Sequence, residues 1–290
     1  MKVSVIIATY RRDDSLKKAI ESLKNQTYKD TETIVVDDNA DKTWNEKVAG
    51  IIAEFDGIRY IKNETNKGSA ETRNIGIAAA SGDYITFLDD DDLYLPEKID
   101  HQLTKTVSEN ADFSVTDLFL YNEQDKLIDK RIRSYIQNTD SDGLLKYHLM
   151  HHITGTDTMM FKRDYLLKIG GFAPINVGDE FYLMERAIRG GGKFSYIPGC
   201  YIKAYVHTTS DGLSSGQSKI DGENELYEYK KKFFDEIDSK SRRYIQMRHY
   251  AVLAFAELRR KKYGSFIKNS ILSFIKAPVA CVKLFVGIDR

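Results

Sequence analysis

The sequence predicts an α/β fold in which a mainly parallel sheet is followed by a C-terminal helical extension. Strand-like and helical segments alternate over roughly the first hundred residues, which is typical of βαβ units. Several predicted strands end in charged side chains, at the point where open α/β sheets bind ligands. From residue 223 onward the pattern is mostly helical, and a hydrophobic fraction of 42% over 290 residues suffices for a sizeable core.

Hydrophobic runs bounded by turn residues define the elements of the first hundred residues. The run from Val3 to Thr9 is too hydrophobic for a solvated edge strand, and a helical stripe follows it at Leu16, Ala19, Ile20 and Leu23. Further strands are predicted over 33–36, 58–61 and 83–88, with a helix over 43–55 and another that follows a polar loop over 63–69 and continues through Ala80. Pro96 then begins another helix, because proline is tolerated in a first helical turn.

Beyond this helix the pattern is less regular. Strands are predicted over 111–116, 158–161, 194–197 and 201–206, with an irregular hairpin over 118–135. Helices are predicted over 164–169 and 179–189, each followed by consecutive glycines. The last two helices should cover 242–263 and 265–286, and Pro278 should kink or break the second one.

Four consecutive aspartates, Asp89 to Asp92, follow the strand predicted over 83–88. Adjacent carboxylates repel one another, so a folded chain tolerates such a run poorly unless a cation neutralises it. Oxygen-only ligands suit a hard ion such as Mg²⁺ or Mn²⁺. A charge run by itself favours the alternative of a solvated acidic loop, whereas its position at a strand end favours a metal site.

Three other strand ends carry side chains suited to a nucleotide. Tyr10 and Arg11 follow the first strand, where a ring can stack on a base and a guanidinium can meet a phosphate; a surface turn is the alternative. Asp38 follows the second strand and could accept a hydrogen bond from a base or ribose, or else cap a helix. Gly68 precedes a helix that carries Arg73, although no G-x-G-x-x-G fingerprint is present.

Taken together, these motifs resemble the family 2 glycosyltransferases of the GT-A fold. The resemblance rests on V-S-V-I-I-A-T-Y-R-R, V-V-D-D-N, N-K-G-S-A-E-T-R-N-I-G, S-G-D-Y-I-T-F-L-D-D-D-D, and G-G-F followed by G-D-E-F-Y-L-M-E-R, in that order. It covers roughly residues 1–215 and is specific for the family but not for the sugar. It implies a Rossmann-like nucleotide-binding sheet joined to an acceptor-binding region.

The resemblance also implies roles for individual residues. Tyr10 would stack on the uracil of a UDP-sugar, Asp38 would contact the base, and Arg73 would help to hold the nucleoside. Asp91 would bind Mn²⁺ or Mg²⁺ directly, and Asp92 would support it. The implied nucleotide-sugar-binding residues are Thr9, Tyr10, Arg11, Asp38, Gly68, Arg73 and Asp90, and the implied metal ligands are Asp89, Asp91 and His207.

The implied catalytic residues are Asp179 and Glu180. The family places its general base as the second acid of a pair at a helix start, six residues before an arginine. Counting back from Arg186 gives Glu180, with Asp179 just before it. The order of the two acids is inverted relative to the family, and favourable placement at a helix N-terminus is the alternative explanation.

Three histidines are weaker candidates. His207 follows the last predicted strand, and the resemblance implies that it completes the metal or diphosphate site; a structural role is the alternative. His151 and His152 precede the region that would line the acceptor pocket, although an ordinary polar surface accounts for them better.

The function implied is that of a metal-dependent inverting glycosyltransferase, specifically a hexosyl- or N-acetylhexosaminyltransferase. It would move a sugar from a UDP-sugar to a hydroxyl group of a glycan or lipid-linked saccharide in surface polysaccharide or glycoconjugate biosynthesis. Residues 1–100 would form the nucleotide-sugar-binding half, 101–222 the acceptor-binding and catalytic half, and 223–290 the basic helical extension.

Two other functions are the alternatives. A sugar-phosphate nucleotidyltransferase also uses an α/β domain and acidic metal sites, but it would want a glycine-rich basic loop after the first strand. A non-catalytic glycan-binding or scaffold protein is disfavoured because the acids of both motifs are intact.

The net charge of zero hides an asymmetry along the chain. Residues 240–290 carry 12 Lys or Arg against two acids, a net charge of +10, which leaves −10 for residues 1–239. Basic helices rich in apolar residues favour docking on an anionic membrane surface. Packing of their apolar faces against the catalytic body, or against a second subunit in a homo-oligomer, is the alternative.

The remaining features concern location and partners. Two cysteines indicate neither a disulfide framework nor a zinc site, and fit a reducing compartment. The N-terminal apolar run precedes its arginines, which is the wrong order for a secretory signal. We expect a cytoplasmic protein, peripheral on the inner face of the cell membrane, with no nucleic-acid partner.

Overall fold

The computed structural model describes residues 1–175, 178–206 and 216–286. The chain divides into two compact units, one formed by Met1–Ser141 with Ile153–Thr208 and the other by Asp142–His152 with Thr209–Arg290. The first unit contains the sheet, and the described residues of the second unit are mainly helical.

Most predicted elements are found in the expected order, together with a short strand at Leu93–Tyr94 and a helix at Ser141–His151 that were not predicted. The strands are β1 Val3–Thr9, β2 Thr31–Asp37, β3 Ile58–Lys62, β4 Tyr84–Phe87, β5 Leu93–Tyr94, β6 Phe113–Asn122, β7 Leu127–Arg131, β8 Met159–Lys162 and β9 Phe194–Val206. The helices are α1 Asp14–Lys24, α2 Lys42–Ile52, α3 Ser69–Ala79, α4 Lys98–Ser108, α5 Ser141–His151, α6 Arg163–Lys168, α7 Asp179–Arg189, α8 Gly216–Lys231, α9 Ser239–Arg259, α10 Tyr263–Lys276 and α11 Pro278–Val286. Turns of 3₁₀ helix cover Thr156–Thr158 and Phe234–Glu236.

The sheet confirms the predicted α/β fold. Its strands run in the order β3-β2-β1-β4-β8-β6-β9-β5, with β7 beside β6. β1 pairs in parallel with β2 and β4, and β2 with β3, so this half of the sheet is Rossmann-like. The other half is mixed, because β8 runs antiparallel to β4 and β6 while β9 runs parallel to β6.

The parallel half is held by side chains that its strands bury against the crossover helices. Val5, Ile7 and Val35 are fully buried in one cluster with Leu16 and Ile20 of α1. These β-branched strand residues suit a pleated, buried surface, whereas the leucine and isoleucine of α1 stand four residues apart on one helix face. The alternation of strand and helix in the sequence therefore becomes a layered core.

The strand register decides which residues meet at the carboxyl edge of this half. Thr9 of β1 lies opposite Asp37 of β2, and Ile6 of β1 lies opposite Phe87 of β4. β4 therefore ends before β1 does, and the aspartates after Phe87 reach the level of Tyr10. The backbone N–H of Tyr10 donates to Asp90 Oδ2 over 3.2 Å.

Several later elements refine the prediction. The strands predicted over 194–197 and 201–206 form one strand, β9, whose register with β6 shifts near Gly199, a residue with a φ of 133°. Glycine adopts such a φ without steric cost, which lets the strand bend and continue. The predicted hairpin is β6 paired antiparallel with β7. Pro278 separates α10 from α11, which confirms the predicted break.

Candidate active site

Carboxylates cluster where β4 ends. Asp89 to Asp92 connect β4 to β5, and Asp157 approaches them from the 3₁₀ turn before β8. Asp157 Oδ1 accepts from the backbone N–H of Asp89 over 2.7 Å. One carboxylate oxygen from each of Asp89, Asp92 and Asp157 lies within 4.8 Å of the other two. We call these three residues the aspartate triad.

Burial makes the charges of the triad costly. It raises the pKa of Asp89, Asp92 and Asp157, and the charge of Asp157 raises the pKa values of the other two further. The pKa of Asp90 is raised to about 6, first by burial and then by the charge of Asp91. A divalent cation would relieve this repulsion, and a donor set of carboxylate oxygens fits Mg²⁺ or Mn²⁺.

Asp90 and Asp91 pair with Arg12, the residue three positions after β1. Arg12 Nη2 donates to Asp91 Oδ2 over 2.8 Å, and its Nε lies 3.5 Å from Asp90 Oδ1. The structure thus groups Asp89 with Asp92 and Asp157, whereas the D-x-D pattern groups Asp89 with Asp91. Direct metal binding by Asp91 stays a prediction. Asp92, expected to play a supporting part, contributes an oxygen to the triad.

The end of β1 presents the ring predicted to stack on a base. Tyr10 is 46% exposed, and the Arg11 guanidinium carbon lies 5.2 Å from its ring centroid. Arg11 has a φ of 53°, and its N–H donates to Asn39 Oδ1 over 2.9 Å. Thr9 is buried, and its carbonyl accepts from the N–H of Asp38 over 2.9 Å. An exposed aromatic ring beside a guanidinium is suited to a planar base near a phosphate.

Asp38 shapes the loop that leads into α3. It is buried, and its Oδ1 accepts from Asn63 Nδ2 and from the N–H of Lys67, each over 2.8 Å. Its Oδ2 accepts from the N–H of Gly68 over 2.9 Å. Gly68 has a φ of 81°, which favours glycine, and α3 begins directly after it. Asp38 therefore fixes this loop in the structure, and its contact with a base stays a prediction.

Arg73 joins the aspartate run to the predicted catalytic pair. It lies on α3 and is only 9% exposed. Its Nη2 donates to Asp89 Oδ1 over 2.7 Å, and its Nη1 donates to Asp179 Oδ2 over 2.9 Å. The guanidinium carbon also lies 5.3 Å from the ring centroid of Phe172. The two carboxylate partners are what the structure shows, and the implied contact with the nucleoside stays a prediction.

Asp179 and Glu180 begin α7, as the sequence predicts. Asp179 Oδ1 accepts from the N–H of Glu180 over 2.9 Å, while Asp179 Oδ2 accepts from Arg73. Burial raises the pKa of Glu180 to about 7, helped by the hydrogen bond and the charge of Asp179. A carboxyl group that titrates near neutral pH is well matched to general base catalysis. Because Asp179 binds Arg73, Glu180 is the better candidate for the base.

The structure places two of the three predicted histidines in the second unit, and His207 lies outside the described residues. His151 and His152 are half-buried at the end of α5. Lys230 Nζ lies 2.5 Å from His152 Nε2, and Tyr244 OH lies 3.4 Å from His151 Nδ1. Burial lowers the pKa of both histidines, that of His151 to about 4. The neutral form of both imidazoles is therefore favoured at pH 7.

Asp157 is the site residue that the sequence did not indicate. It is an isolated acid ahead of β8, with no motif around it. It reaches the triad because β8 runs antiparallel to β4, with Met160 opposite Thr86, so the start of β8 lies beside the end of β4. Only a prediction of that strand pairing could have found it.

Comparison with known proteins identifies the family. A family model described as glycosyl transferase family 2 matches residues 4–169, more than half of the chain. The chain belongs to glycosyltransferase family 2. The predicted family and the predicted enzyme class, a glycosyltransferase, are therefore confirmed.

Two individual relatives match different shares of the chain. An uncharacterised glycosyltransferase of Methanocaldococcus jannaschii is 31% identical over 219 residues, which cover 73% of this chain and 73% of that protein. A UDP-Glc:alpha-D-GlcNAc-diphosphoundecaprenol beta-1,3-glucosyltransferase of Escherichia coli is 38% identical over 121 residues, which cover 41% of this chain and 46% of that enzyme. The match to the E. coli enzyme thus spans less than half of its length.

A solved structure supports the fold assignment. The crystal structure of S. aureus TarS 1-349 in complex with UDP-GlcNAc matches with a TM-score of 0.60 and 16% identity, over 95% of this chain and 92% of that one. Together with the family match, this likeness confirms the expected GT-A fold.

Replacing Arg73 by alanine should lower the free energy of unfolding by about 3–5 kcal/mol at pH 8, because Asp89 and Asp179 would lose a buried cation. Arg12→Ala is the matched control: its side chain is 41% exposed, and surface ion pairs contribute about 0–1 kcal/mol. Urea unfolding followed by the fluorescence of Trp44, the single tryptophan, measures both losses in the first unit. If Arg73→Ala and Arg12→Ala lower the free energy of unfolding by equally small amounts, the bridging role of Arg73 is contradicted.

Asp157→Asn should raise the free energy of unfolding of the metal-free protein at pH 8, because burial raises the pKa of Asp157 and so makes its charge costly in the folded state. A carboxyl group whose pKa is raised by folding destabilises the folded state at pH values above its unfolded pKa. The stability gained through Asp157→Asn should therefore vanish as the pH falls through ~4. Asparagine keeps an oxygen for the N–H of Asp89. Stability would be measured by the same Trp44 fluorescence.

Asp117→Asn is the control for this experiment. Asp117 is also buried, but it accepts from Tyr196 OH and from the backbone N–H groups of Arg133 and Gly199. Its loss of charge should therefore destabilise the protein, by about 1–3 kcal/mol. If Asp157→Asn destabilises the metal-free protein at pH 8 as well, the cost of burying the Asp157 charge is not the dominant effect.

Proposed function

We propose that this protein transfers a hexosyl or N-acetylhexosaminyl group from a UDP-sugar to a hydroxyl group of a glycan or lipid-linked saccharide, with inversion at the anomeric carbon. The observation that carries the proposal is the series of contacts from Asp89 through Arg73 to Asp179 and Glu180. It connects an acidic strand edge, suited to a metal and a diphosphate, to a carboxyl group whose pKa is about 7.

The name of the E. coli relative supports the choice of substrates. That enzyme uses UDP-Glc and an acceptor linked to diphosphoundecaprenol. We propose the same classes of donor and acceptor for this chain, in surface polysaccharide or glycoconjugate biosynthesis. An acceptor held in a lipid bilayer would place the enzyme on the inner face of the cell membrane.

The donor nucleotide is proposed to lie along the carboxyl ends of β1, β2 and β4. Tyr10 is exposed at the end of β1, where its ring can stack on uracil. Asp90 accepts from the backbone N–H of Tyr10, so its carboxyl group lies beside the proposed base site, where it would contact the ribose. Asp38 holds the loop that ends in Gly68, and that loop would border the nucleoside. The proposed nucleotide-sugar-binding residues remain Thr9, Tyr10, Arg11, Asp38, Gly68, Arg73 and Asp90.

Mn²⁺ or Mg²⁺ is proposed to bind at the acidic edge. The aspartate triad and Asp91 would hold it, with His207 as a further proposed ligand. The fit rests on the all-oxygen donor set and on the burial of these carboxyl groups, which raises their pKa values and makes a neutralising cation favourable. When bound, such an ion neutralises the diphosphate and so stabilises the leaving group.

Glu180 is proposed to act as the general base. Its carboxylate takes the proton of the acceptor hydroxyl while that oxygen attacks C1 of the donor sugar, and the bond from C1 to the UDP oxygen breaks in the same displacement. Attack on the face opposite the leaving group inverts the configuration. Asp179 accepts from Arg73 and from the backbone of Glu180, and so orients the first turn of α7.

The division of labour along the chain follows from these roles. Residues 1–100 would bind the nucleotide sugar, 101–222 would supply the general base and the acceptor site, and 223–290 would form a basic helical extension.

A sugar-phosphate nucleotidyltransferase fits less well, because the segment after β1 contains no glycine-rich basic loop. A non-catalytic glycan-binding protein would have no need of a carboxyl group with a pKa of about 7 beside the acidic edge.

Glu180→Gln should lower kcat on the order of 10²- to 10⁴-fold, because an amide cannot accept the proton of the acceptor. The affinity for UDP should stay unchanged, since Glu180 acts on the acceptor. In the wild type kcat should rise as the pH passes about 7, where Glu180 loses its proton, and this rise should be absent from the residual activity of the variant. UDP release with a panel of donor sugars, and calorimetry with UDP, measure these quantities.

Asp179→Asn is the comparison variant. It keeps the size of the side chain but removes a charge paired with buried Arg73, so it should reduce stability together with activity. If Asp179→Asn abolishes transfer at unchanged stability while Glu180→Gln remains active, the base is Asp179 and the assignment is wrong by one residue.

A further inference from the structure

The last two helices of the second unit expose an apolar surface. Nine large apolar residues of α10 and α11 are each at least 38% exposed. They are Tyr263, Ile267, Ile271, Phe274, Ile275, Val279, Val282, Phe285 and Val286. We call this set the exposed apolar face. Surface clusters of this kind usually mark a contact with a partner or a membrane.

The helical spacing of these residues forms a stripe along each helix. Positions 263, 267, 271, 274 and 275 of α10 repeat every three or four residues, and so do positions 279, 282 and 286 of α11. The other side of the helices packs inward. Ser273 is fully buried and donates to the carbonyl of Met247 in α9 over 2.9 Å, and Cys281 lies 3.4 Å from Ser273 Oγ. The helices are therefore held on α9 by one side and leave the apolar stripe on the other.

The segment that carries this face is strongly basic. Residues 259–286 contain seven basic side chains and no acidic one. The basic residues are Arg259, Arg260, Lys261, Lys262, Lys268, Lys276 and Lys283. Lys268 and Lys283 are exposed on the same two helices, and Lys261 and Lys262 are exposed just before α10. A surface that combines aliphatic and aromatic residues with lysines is complementary to an anionic interface.

We propose that the exposed apolar face docks on an anionic lipid bilayer, with α10 and α11 lying in its interface. Neither helix is suited to crossing a bilayer: α10 has 14 residues, α11 has 9, and Pro278 separates them. Among the described residues, no helix is long and apolar enough to span a membrane. Helices that lie at the interface bury their apolar side in the headgroup region while basic residues contact anionic lipids.

A second copy of this chain fits the face less well than a bilayer does. Two copies joined through it would bring seven cations of one copy towards the same seven of the other, with no acidic residue in the segment to pair with them. Lysine is also depleted in the cores of protein interfaces. Packing within the second unit does not cover these apolar side chains, each of which is at least 38% exposed.

Flotation of the full-length protein with vesicles tests the proposal. We expect it to float with vesicles of phosphatidylcholine and 30% phosphatidylglycerol, to float weakly with phosphatidylcholine alone, and to dissociate as salt rises from 0.05 to 0.5 M. Lys268→Glu with Lys283→Glu should weaken binding to the anionic vesicles about tenfold or more. Ile271→Asp with Ile275→Asp should abolish binding, because it places charge in the centre of the face.

Matched controls separate this effect from a general change in charge or polarity. Lys105→Glu with Lys126→Glu changes the net charge equally on the first unit, and Leu167→Asp changes another exposed apolar residue there; both should float as the wild type does. Transfer to a water-soluble acceptor should be unchanged in every variant, so a failure of docking is distinguishable from a failure of the proposed reaction. Equal flotation of wild type and Ile271→Asp/Ile275→Asp overturns the proposal. The proposal is also overturned if the wild-type protein does not float and is instead a dimer that Ile271→Asp/Ile275→Asp converts to a monomer.

Discussion

The acidic edge of the sheet imposes the electrostatic constraint on which the rest of the first unit depends. Asp89, Asp92 and Asp157 bring carboxylate oxygens within 4.8 Å of one another in partly buried positions, and folding raises the pKa of all three. Positive charge must therefore be supplied close by. Arg73 supplies part of it to Asp89, and through Asp179 it ties the first turn of α7 to the same edge. A divalent cation would neutralise the remaining negative charge and so allow an anionic diphosphate to approach the same edge.

Much of this arrangement could be predicted from the sequence because it depends on local patterns. Hydrophobic runs bounded by turns located the first strands, and parallel strands must bring their carboxyl ends to one edge. That rule alone placed Tyr10, Asp38 and the aspartate run near one another, and the register of β1 with β2 and β4 confirms it. The start of α7 at Asp179 followed from its acids and the glycines after it.

What could not be predicted depends on contacts between distant segments. Asp157 joins the triad through the antiparallel pairing of β4 with β8, and nothing in its own surroundings indicates that pairing. Arg73 and Asp179, which are joined by a hydrogen bond, lie more than one hundred residues apart in the sequence. The sequence assigned Arg73 to the nucleoside and Asp179 to the catalytic pair, with no link between them. β9 was predicted as two strands over 194–197 and 201–206, whereas neighbouring β6 pairs with both parts. In each case tertiary pairing decided the outcome.

Calorimetric titration of UDP into the wild-type protein, in Mn²⁺ and again in EDTA, tests the central claim most directly. That claim is that the acidic edge binds UDP together with a divalent cation, which offsets the repulsion among its carboxylates. It predicts that Mn²⁺ raises the affinity for UDP by about tenfold or more, because the cation would bridge the carboxylates and the diphosphate. Equal affinity in Mn²⁺ and in EDTA would contradict it.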